Sequence, residues 1–261
     1  MILIRGAGDI ASGIAVRLFR CGFTLAMTDL VHPTSIRRTV CFSEAIRQGV
    51  CTVEGITAER AASKAEADEI RARGHIPVFA DDEGTVLSLL KPEAVVDARL
   101  AKVNLDTAIF DAPIVIAVGP GFTAGKDCHA VVETQRGHYL GRAIYEGAPA
   151  ANTGIPGNIG GYTVERIIRA PKAGVFRPVH DIGDQVDADE VVAYVDESPV
   201  RCLIGGTLRG ILPEGIVVFA GMKSGDVDPR CQPDHCRCAS DKALSVGGGV
   251  LEALLHFGYK E

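Results

Sequence analysis

Residues 1–11 read MILIRGAGDIA, an apolar run followed by small residues and an acid. The apolar run ends at Gly6, and the segment Gly6 to Ala11 fits the G-x-G-x-x-G/A pattern of dinucleotide-binding turns. In that pattern Gly6 makes the tight turn, Gly8 lets a phosphate approach the backbone, and Ala11 lets the next helix lie close to the sheet. The stretch therefore predicts a strand, a turn and a helix.

An acid follows where this pattern places one. Asp29 ends the next apolar segment, about 20 residues after the turn, where a carboxylate can accept both hydroxyls of a ribose. Asp9 fits less well, because a carboxylate at a helix N-terminus repels a pyrophosphate. Two readings of Asp9 stay open, a simple helix cap or a contact with a ligand group or metal.

The composition is that of an ordinary globular protein. The 261 residues are 47% hydrophobic, carry a formal net charge of -6 and include no Trp. These values give no reason to expect nucleic acid or an anionic membrane as a partner. No apolar run approaches the roughly 20 residues that span a bilayer, and no signal peptide precedes the first strand. We therefore expect a cytoplasmic protein whose eight cysteines are reduced thiols or metal ligands.

The pattern of elements predicts an α/β fold in three parts. Residues 1–163 are expected to form a Rossmann-like parallel-sheet domain that binds a nucleotide or cofactor, with an amphipathic helix over Thr57 to Arg73. Short apolar segments in residues 164–230 predict a small all-β module that resembles the barrel-sandwich fold of lipoyl and biotinyl domains. Its hairpin tip near Asp196 has no lysine, so we do not expect a swinging-arm carrier. Residues 231–261 are expected to form a Cys-rich loop and a C-terminal helix that packs on the first domain.

Charged residues follow several predicted strands. Asp97, Arg99 and Lys102 come directly after a buried strand, at the carboxyl edge of the predicted sheet, where ligands bind in such folds. Arg37 and Arg38 follow Asp29 and are either a solvated pair or contacts to a phosphate or another anion.

A glycine-rich loop follows the next apolar strand. Gly119, Gly121, Gly125 and Lys126 resemble a phosphate loop only in part, because Pro120 and Asp127 stand where a P-loop needs a glycine and a hydroxyl. We therefore reject an ATPase and retain an active-site loop in which Lys126 contacts an anion.

Two further features are ambiguous. His138 lies between two arginines near Glu133 and is either structural or functional. Cys231, Cys236 and Cys238 are either zinc ligands or reduced surface thiols. Three glycines, residues 247–249, precede a predicted helix over Val250 to His256 and would leave their amides open to an anion.

Together these motifs resemble the YqeB family of selenium-dependent molybdenum hydroxylase system proteins. The residues that carry the resemblance are Gly6-Ala7-Gly8-Asp9, Arg37-Arg38, Asp97-Ala98-Arg99 with Lys102, Gly119-Pro120-Gly121-Phe122 with Gly125-Lys126-Asp127, Glu133-Thr134 with Arg136-Gly137-His138, Asn152-Thr153-Gly154, Asp228-Pro229-Arg230 and Ser240-Asp241-Lys242 with Gly247-Gly248-Gly249. The first domain is also similar to the Rossmann part of XdhC-type accessory proteins, which handle molybdenum cofactor.

The resemblance implies an accessory or maturation role, with a molybdenum hydroxylase as partner, and it does not decide whether the chain is an enzyme. A nucleotide or molybdopterin-type ligand would bind the turn at Gly6 and the loop at Gly119, with Asp97, Arg99, Lys102 and His138 on its reactive side. One alternative is an NAD(P)-dependent oxidoreductase, which Asp29 favours and Asp9 opposes. Another is a non-catalytic chaperone that docks on the hydroxylase through the β module. Homo-oligomerisation stays open.

Overall fold

The computed structural model describes residues 1–260 and divides into two compact units. The first unit comprises residues 1–33, residues 41–153 and the chain from residue 239 onwards. The second comprises residues 34–40 and 154–238. The chain therefore contributes to the second unit twice, first as a short segment and then as a long one.

The first unit is an α/β structure. Its strands are β1 (Ile2–Arg5), β2 (Leu25–Asp29), β3 (Val50–Val53), β4 (Ile56–Ala61), β5 (Ile76–Ala80), β6 (Ala94–Asp97), β7 (Ile114–Val118), β8 (Ala130–Val132) and β9 (Ala143–Ile144). Its helices are α1 (Asp9–Arg20), α2 (Glu44–Gln48), α3 (Lys64–Ala72), α4 (Thr85–Leu90) and α5 (Asp241–His256). The nine strands form one sheet in the order β3-β4-β5-β2-β1-β6-β7-β8-β9.

The middle of this sheet is parallel and its two edges are antiparallel. Strands β4, β5, β2, β1, β6, β7 and β8 run parallel, whereas β3 pairs antiparallel with β4 and β9 pairs antiparallel with β8. The central strands are buried along their length, as expected when both faces of a parallel sheet are covered. All loops that follow the parallel strands therefore emerge at one edge of the sheet, which we call the carboxyl edge.

Helices α1 and α5 pack closely because small residues line their contact. A side chain on Gly13 would clash with Ala243, and one on Gly247 would lie 3.1 Å from the Gly13 carbonyl oxygen. Gly249 lies against the Gly141 carbonyl oxygen, where an added Cβ would come within 2.1 Å. Gly13 contacts Ala243, and Ile14 and Arg17, further along α1, contact Gly247, further along α5. The two helices therefore run in the same direction, and their N-termini lie at the same edge of the sheet.

The second unit consists of two small antiparallel sheets. Its strands are β10 (Ile167–Arg169), β11 (Gly174–Pro178), β12 (Gln185–Val186), β13 (Val191–Val195), β14 (Ser198–Arg201), β15 (Gly206–Ile211), β16 (Val217–Val218) and β17 (Lys223–Asp228). One sheet has the order β10-β17-β15-β12 and the other β14-β13-β11-β16. Both contribute to one apolar core, which includes Phe176, Val192, Val195 and Leu208.

The predicted fold class, a Rossmann-like domain followed by a lipoyl-like barrel, is wrong. The first unit has a nine-stranded mixed sheet with antiparallel strands at both edges, and the second has two separate four-stranded sheets. In the described chain, β6 connects to β7 and β7 to β8 without a helix. The turn at Gly6 correctly predicts a strand and a helix around it, but a local motif does not determine how later strands connect.

Two element predictions in the first unit are also wrong. Residues 57–61 lie in β4, which pairs with β3 through a tight turn at Glu54 and Gly55, both with positive φ (49° and 81°). This is the conformation of the two-residue hairpin turns that suit twisted strands. The three glycines lie inside α5, which begins at Asp241 with Ser240 as its cap, so their amides are helical and do not form an N-terminus.

None of the helices described in residues 1–260 is both long enough and apolar enough to cross a lipid bilayer.

Candidate functional site

The first turn is closed by the chain's own groups. Gly6 has a φ of 103°, and a side chain there would meet the Ala98 carbonyl oxygen at 2.9 Å. The Asp29 carboxylate accepts hydrogen bonds from the amides of Ala7 and Leu30, each at 2.8 Å. Burial raises the pKa of this carboxyl group. Asp29 therefore holds the turn, and Ala11 is buried in α1 as the packing argument requires.

Asp97 and Arg99, predicted on the reactive side, pair with each other. The guanidinium of Arg99 donates to the Asp97 carboxylate at 2.6 Å, and Thr107 donates its hydroxyl to the same carboxylate at 2.6 Å. Arg99 also reaches Asp106, which accepts a hydrogen bond from the buried Arg5. These charges neutralise one another and fix the loop that follows β6, so we assign them a structural role.

The loop that follows β7 is anchored by its own residues. Phe122 is buried in a core cluster, and the Asp127 carboxylate accepts the Thr123 amide at 2.8 Å. Gly121 has a φ of 108° and passes so close to the backbone of Val103 that an added Cβ would lie 2.7 Å away. Gly119 packs against Thr134 in the same way, whereas Gly125 and Lys126 are exposed.

A group of charged side chains assembles at the carboxyl edge around Lys242, near the N-terminus of α5. It consists of Asp9, Lys102, Glu133, Arg136 and Lys242, and we call it the charged cluster. Burial lowers the pKa of the Lys242 amine, and the charges of Lys102 and Arg136 lower it further. The carboxylates of Asp9 and Glu133 act in the opposite direction. Desolvation also lowers the pKa of Lys102, although its side chain is largely exposed.

Three elements hold the charged cluster in place. Asp9 is the first residue of α1, and its carboxylate acts on the Lys242 amine. Glu133 is buried and accepts the amides of Gln135 and Ala150. Arg136 pairs with Asp241 at 2.7 Å, which ties the loop after β8 to the start of α5.

His138 lies on the same loop as Arg136 and is exposed. Its ring packs edge-on against Tyr139, with 5.1 Å between the ring centroids. Within residues 1–260, no hydrogen bond or ion pair joins His138 to the charged cluster.

Arg37 and Arg38 belong to the second unit, where they bind backbone carbonyl groups. Arg37 donates to the carbonyl oxygen of His235 at 2.8 Å, and Arg38 donates to that of Ile211 at 2.9 Å. Their guanidinium groups thus fasten the segment 34–40 to its own unit.

The three cysteines proposed as zinc ligands do not converge. Cys236 is buried, whereas Cys231 and Cys238 are exposed on either side of a short 3-10 turn, Pro233–Cys236. Within residues 1–260, no group of three or more His, Cys, Asp or Glu side chains is arranged to hold a metal ion.

The sequence-based site prediction missed Glu133, Arg136 and Lys242 as members of one site. Their proximity depends on the packing of α5 against α1, which joins residues more than two hundred positions apart. The available signal was the pair Ser240-Asp241, a helix-start pattern that places Lys242 in the first turn of a helix.

The fold and the charged cluster define an α/β protein with a largely parallel sheet, an added antiparallel β unit and a group of charged side chains at its carboxyl edge. No protein-family model matches the chain. The chain is 51% identical, over 263 aligned residues and its whole length, to the uncharacterized protein YqeB of Escherichia coli strain K12. It spans about half (49%) of that protein's length. This match supports the resemblance to the YqeB family.

Two solved structures are weakly similar to the chain. An aspartoacylase family protein from Mesorhizobium loti has a TM-score of 0.27 and 12% identity, covering 87% of this chain and 84% of that one. A succinylglutamate desuccinylase/aspartoacylase from Rhodobacter sphaeroides has a TM-score of 0.24 and 15% identity, covering 86% of each chain.

Proposed function

We propose that the charged cluster binds an anionic, phosphate-bearing small molecule. The observation that carries this proposal is the position of Lys242 in the first turn of α5, next to the Asp241 carboxylate that pairs with Arg136 at 2.7 Å. The charges of Lys102 and Arg136 also act on the Lys242 amine. Because Arg136 is paired with Asp241, the two lysines are the cations that the charged cluster offers to a ligand. Amides at the N-termini of α1 and α5 add to these charges, because a helix N-terminus carries a partial positive charge.

A phosphate-bearing ligand suits this arrangement better than a simple carboxylate. Lysine ammonium groups and helix N-termini are common partners of phosphate, and more than one cation favours a group with more than one negative charge. Asp9 and Glu133 would accept hydrogen bonds from hydroxyl or amino groups of the same ligand. A nucleotide or a molybdopterin-type compound combines these features.

We further propose that the chain acts as an accessory protein in the maturation of selenium-dependent molybdenum hydroxylases. This role rests on the YqeB-family resemblance and on a site suited to a pterin phosphate. The relative itself is uncharacterized, so its name adds no activity.

The alternative of an NAD(P)-dependent oxidoreductase has less support. Its best evidence in the sequence was Asp29 as a ribose ligand, and both Asp29 oxygens accept backbone amides.

Isothermal titration calorimetry tests the proposal, with the purified chain titrated in turn with CTP, ATP, NAD, NADP and molybdenum cofactor. We expect a phosphate-bearing ligand to bind at micromolar concentration without turnover, and the substitutions Lys242→Ala and Lys102→Ala to weaken binding roughly tenfold each. Lys91→Ala is the matched control, because Lys91 is also exposed and has a left-handed backbone (φ 47° against 68° for Lys102).

The outcomes separate the candidates. Oxidation of NADH or NADPH with turnover would replace the accessory role by the oxidoreductase. Absence of binding to every phosphate ligand would reject the proposed site and favour the docking chaperone.

A further inference from the structure

An open groove of about 840 Å³ lies at the amino edge of the first unit's sheet, opposite the carboxyl edge. Its walls come from the C-terminal end of α4, the segments that enter β6 and β7, and His129, which precedes β8. It shares no residue with the charged cluster.

One side of the groove is apolar and exposed. Leu87, Ile109 and Pro113 line it, and Phe110 stands beside them with 91% of its surface exposed. Because the exposed ring lies beside other apolar side chains of the groove, it extends an apolar patch, and such patches are typical of contact sites. The groove volume also falls in the range of about 300–1,000 Å³ that is typical of small-molecule sites.

The acidic side chains of the groove are already partnered. Glu93 accepts a hydrogen bond from the amino group of Met1 at 2.9 Å. Asp111 accepts the Ala108 amide at 3.1 Å and lies 3.7 Å from the Arg5 guanidinium. The charges of these two carboxylates are therefore already compensated by groups of the protein, and they do not need a positively charged ligand.

The donors of the groove are not satisfied in the same way. Within residues 1–260, the Lys91 amine has no hydrogen-bond or ion-pair partner. The Nδ1 atom of His129 accepts the Val115 amide at 3.0 Å, which fixes the ring and leaves its hydrogen on Nε2 in the neutral form. Beside the apolar wall, the groove thus offers Lys91 and His129 as nitrogen donors, together with the Ser88 hydroxyl.

From this combination we propose that the groove binds a small carboxylic acid with an apolar body. The carboxylate pairs with Lys91 and accepts from His129, while the body packs against Phe110 and Leu87. The Lys91 charge favours an anion, because the carboxylates of Glu93 and Asp111 already pair with the Met1 amino group and Arg5. This inference does not depend on the function proposed for the charged cluster.

The test uses 3-phenylpropanoate and its neutral counterpart 3-phenylpropan-1-ol, titrated against the full chain by ligand-observed NMR. We expect saturable binding of the acid, with a Kd on the order of 1 mM or tighter for so small a ligand. The alcohol, and the variants Lys91→Ala and Phe110→Ala, should each reduce affinity roughly fivefold to tenfold.

Two controls are built into the chain. Lys102→Ala removes a lysine with the same left-handed backbone from the opposite edge, and Leu89→Ala removes an exposed apolar side chain of α4 that does not line the groove. Both should bind the acid as the unmodified chain does. Loss of nucleotide binding in Lys102→Ala with retained acid binding would show that the two sites are independent.

Several results would overturn the proposal. These are equal affinity for acid and alcohol, unchanged affinity in both Lys91→Ala and Phe110→Ala, and no saturable binding of the acid up to about 10 mM. A peptide ending in Phe that binds at least tenfold more tightly than the free acid would assign the groove to a protein C-terminus instead.

Discussion

Asp228 shows how single residues stabilise the second unit. Its carboxylate is almost fully buried and accepts hydrogen bonds from Arg230 at 2.6 Å and Arg209 at 3.5 Å. The neighbouring Asp226 pairs with Arg209 and with the buried Arg166. Although desolvation acts to raise the pKa of Asp228, the hydrogen bonds and charges of the arginines outweigh it and hold the pKa well below its ordinary value of 3.8.

Asp228→Asn is therefore expected to destabilise the protein. A lowered carboxyl pKa contributes stability above the unfolded-state pKa, and this contribution is lost as the pH falls through the folded-state value. Removing one member of a buried ion-pair network costs about 3 kcal/mol or more. The free energy of unfolding, measured in urea between pH 3 and pH 8, should show the largest difference at neutral pH and a smaller one towards pH 3.

Glu214→Gln in the same unit is the control, since Glu214 is exposed. A pH-independent difference between Asp228→Asn and the unmodified chain would contradict this account of Asp228.

Lys242 should make ligand binding sensitive to alkaline pH. Burial, together with the charges of Lys102 and Arg136, places the pKa of its amine below the ordinary 10.5. Anion binding needs the protonated amine, so affinity for inorganic pyrophosphate should fall at a lower pH than for an unperturbed lysine. Calorimetry between pH 7 and pH 10 measures the affinity. The variant Lys242→Arg keeps its positive charge over this range, so its affinity for pyrophosphate should not fall. An affinity that is constant over this range in the unmodified chain would exclude Lys242 from the site.

At the scale of elements, the contact between α1 and α5 decides where the charged cluster forms. The three glycines in α5 have different surroundings along one helix. An added Cβ at Gly249 would meet the Gly141 carbonyl oxygen at 2.1 Å, whereas one at Gly248 would find only the Arg17 guanidinium at 3.9 Å.

Substitution of these glycines by alanine should therefore have opposite effects. Gly249→Ala forces the loop at Gly141 away and should destabilise the protein by roughly 2 kcal/mol. Gly248→Ala removes backbone freedom from the unfolded chain without a clash and should stabilise it by about 0.5–1 kcal/mol. Thermal denaturation of the two variants measures both effects. A similar loss of stability in both would contradict the packing described here.

The sequence predicts a helix or strand correctly where the residues that determine it lie close together in the chain. The strand, turn and helix around Gly6 follow from residues within one short stretch, and the structure confirms these three elements as β1, the turn and α1. The helix predicted over Thr57 to Arg73 is wrong in its first part because its composition suits a helix, while the turn at Glu54 and Gly55 directs residues 56–61 into β4. The start of α5 is predicted too late, because the three glycines are placed before the helix, whereas they lie inside it where α5 packs closely on its neighbours.

At the scale of the whole molecule, the second unit is built from two parts of the chain. The amide of Ile211 donates to the Ile36 carbonyl oxygen at 2.8 Å, and Ile36 packs against the core of that unit. Arg37 and Arg38 add hydrogen bonds to His235 and Ile211. Residues 34–40 thus act as a structural part of the unit formed by residues 154–238.

A fragment of residues 154–238 should consequently be less stable alone than when residues 34–40 are fused to it through a flexible linker. Lost contacts of Ile36 and the two arginines are worth roughly 2–4 kcal/mol together. Urea denaturation of the two fragments measures the difference. A fusion in which Arg37 and Arg38 are both Ala is the control and should recover only part of the gain, while equal stability of all three would contradict the assignment of this segment.

The sequence could not show this arrangement because the basic pair after Asp29 suits a ligand site as well as a structural contact. The choice between them depends on Ile211 and His235, which come more than 170 residues later. The same limit applies to the charged cluster. Lys102 was predicted from its place after β6, but Lys242 joins it only through the return of the chain after the second unit.

The most direct test of the central claim is to map where pyrophosphate binds, using backbone amide NMR shifts of the uniformly ¹⁵N-labelled chain. We expect the perturbed amides to lie at the start of α1 around Gly8 and Asp9, at the start of α5 around Lys242, and near Arg136. Perturbations confined to the exposed loop at Lys126, or no perturbation at millimolar pyrophosphate, would contradict it.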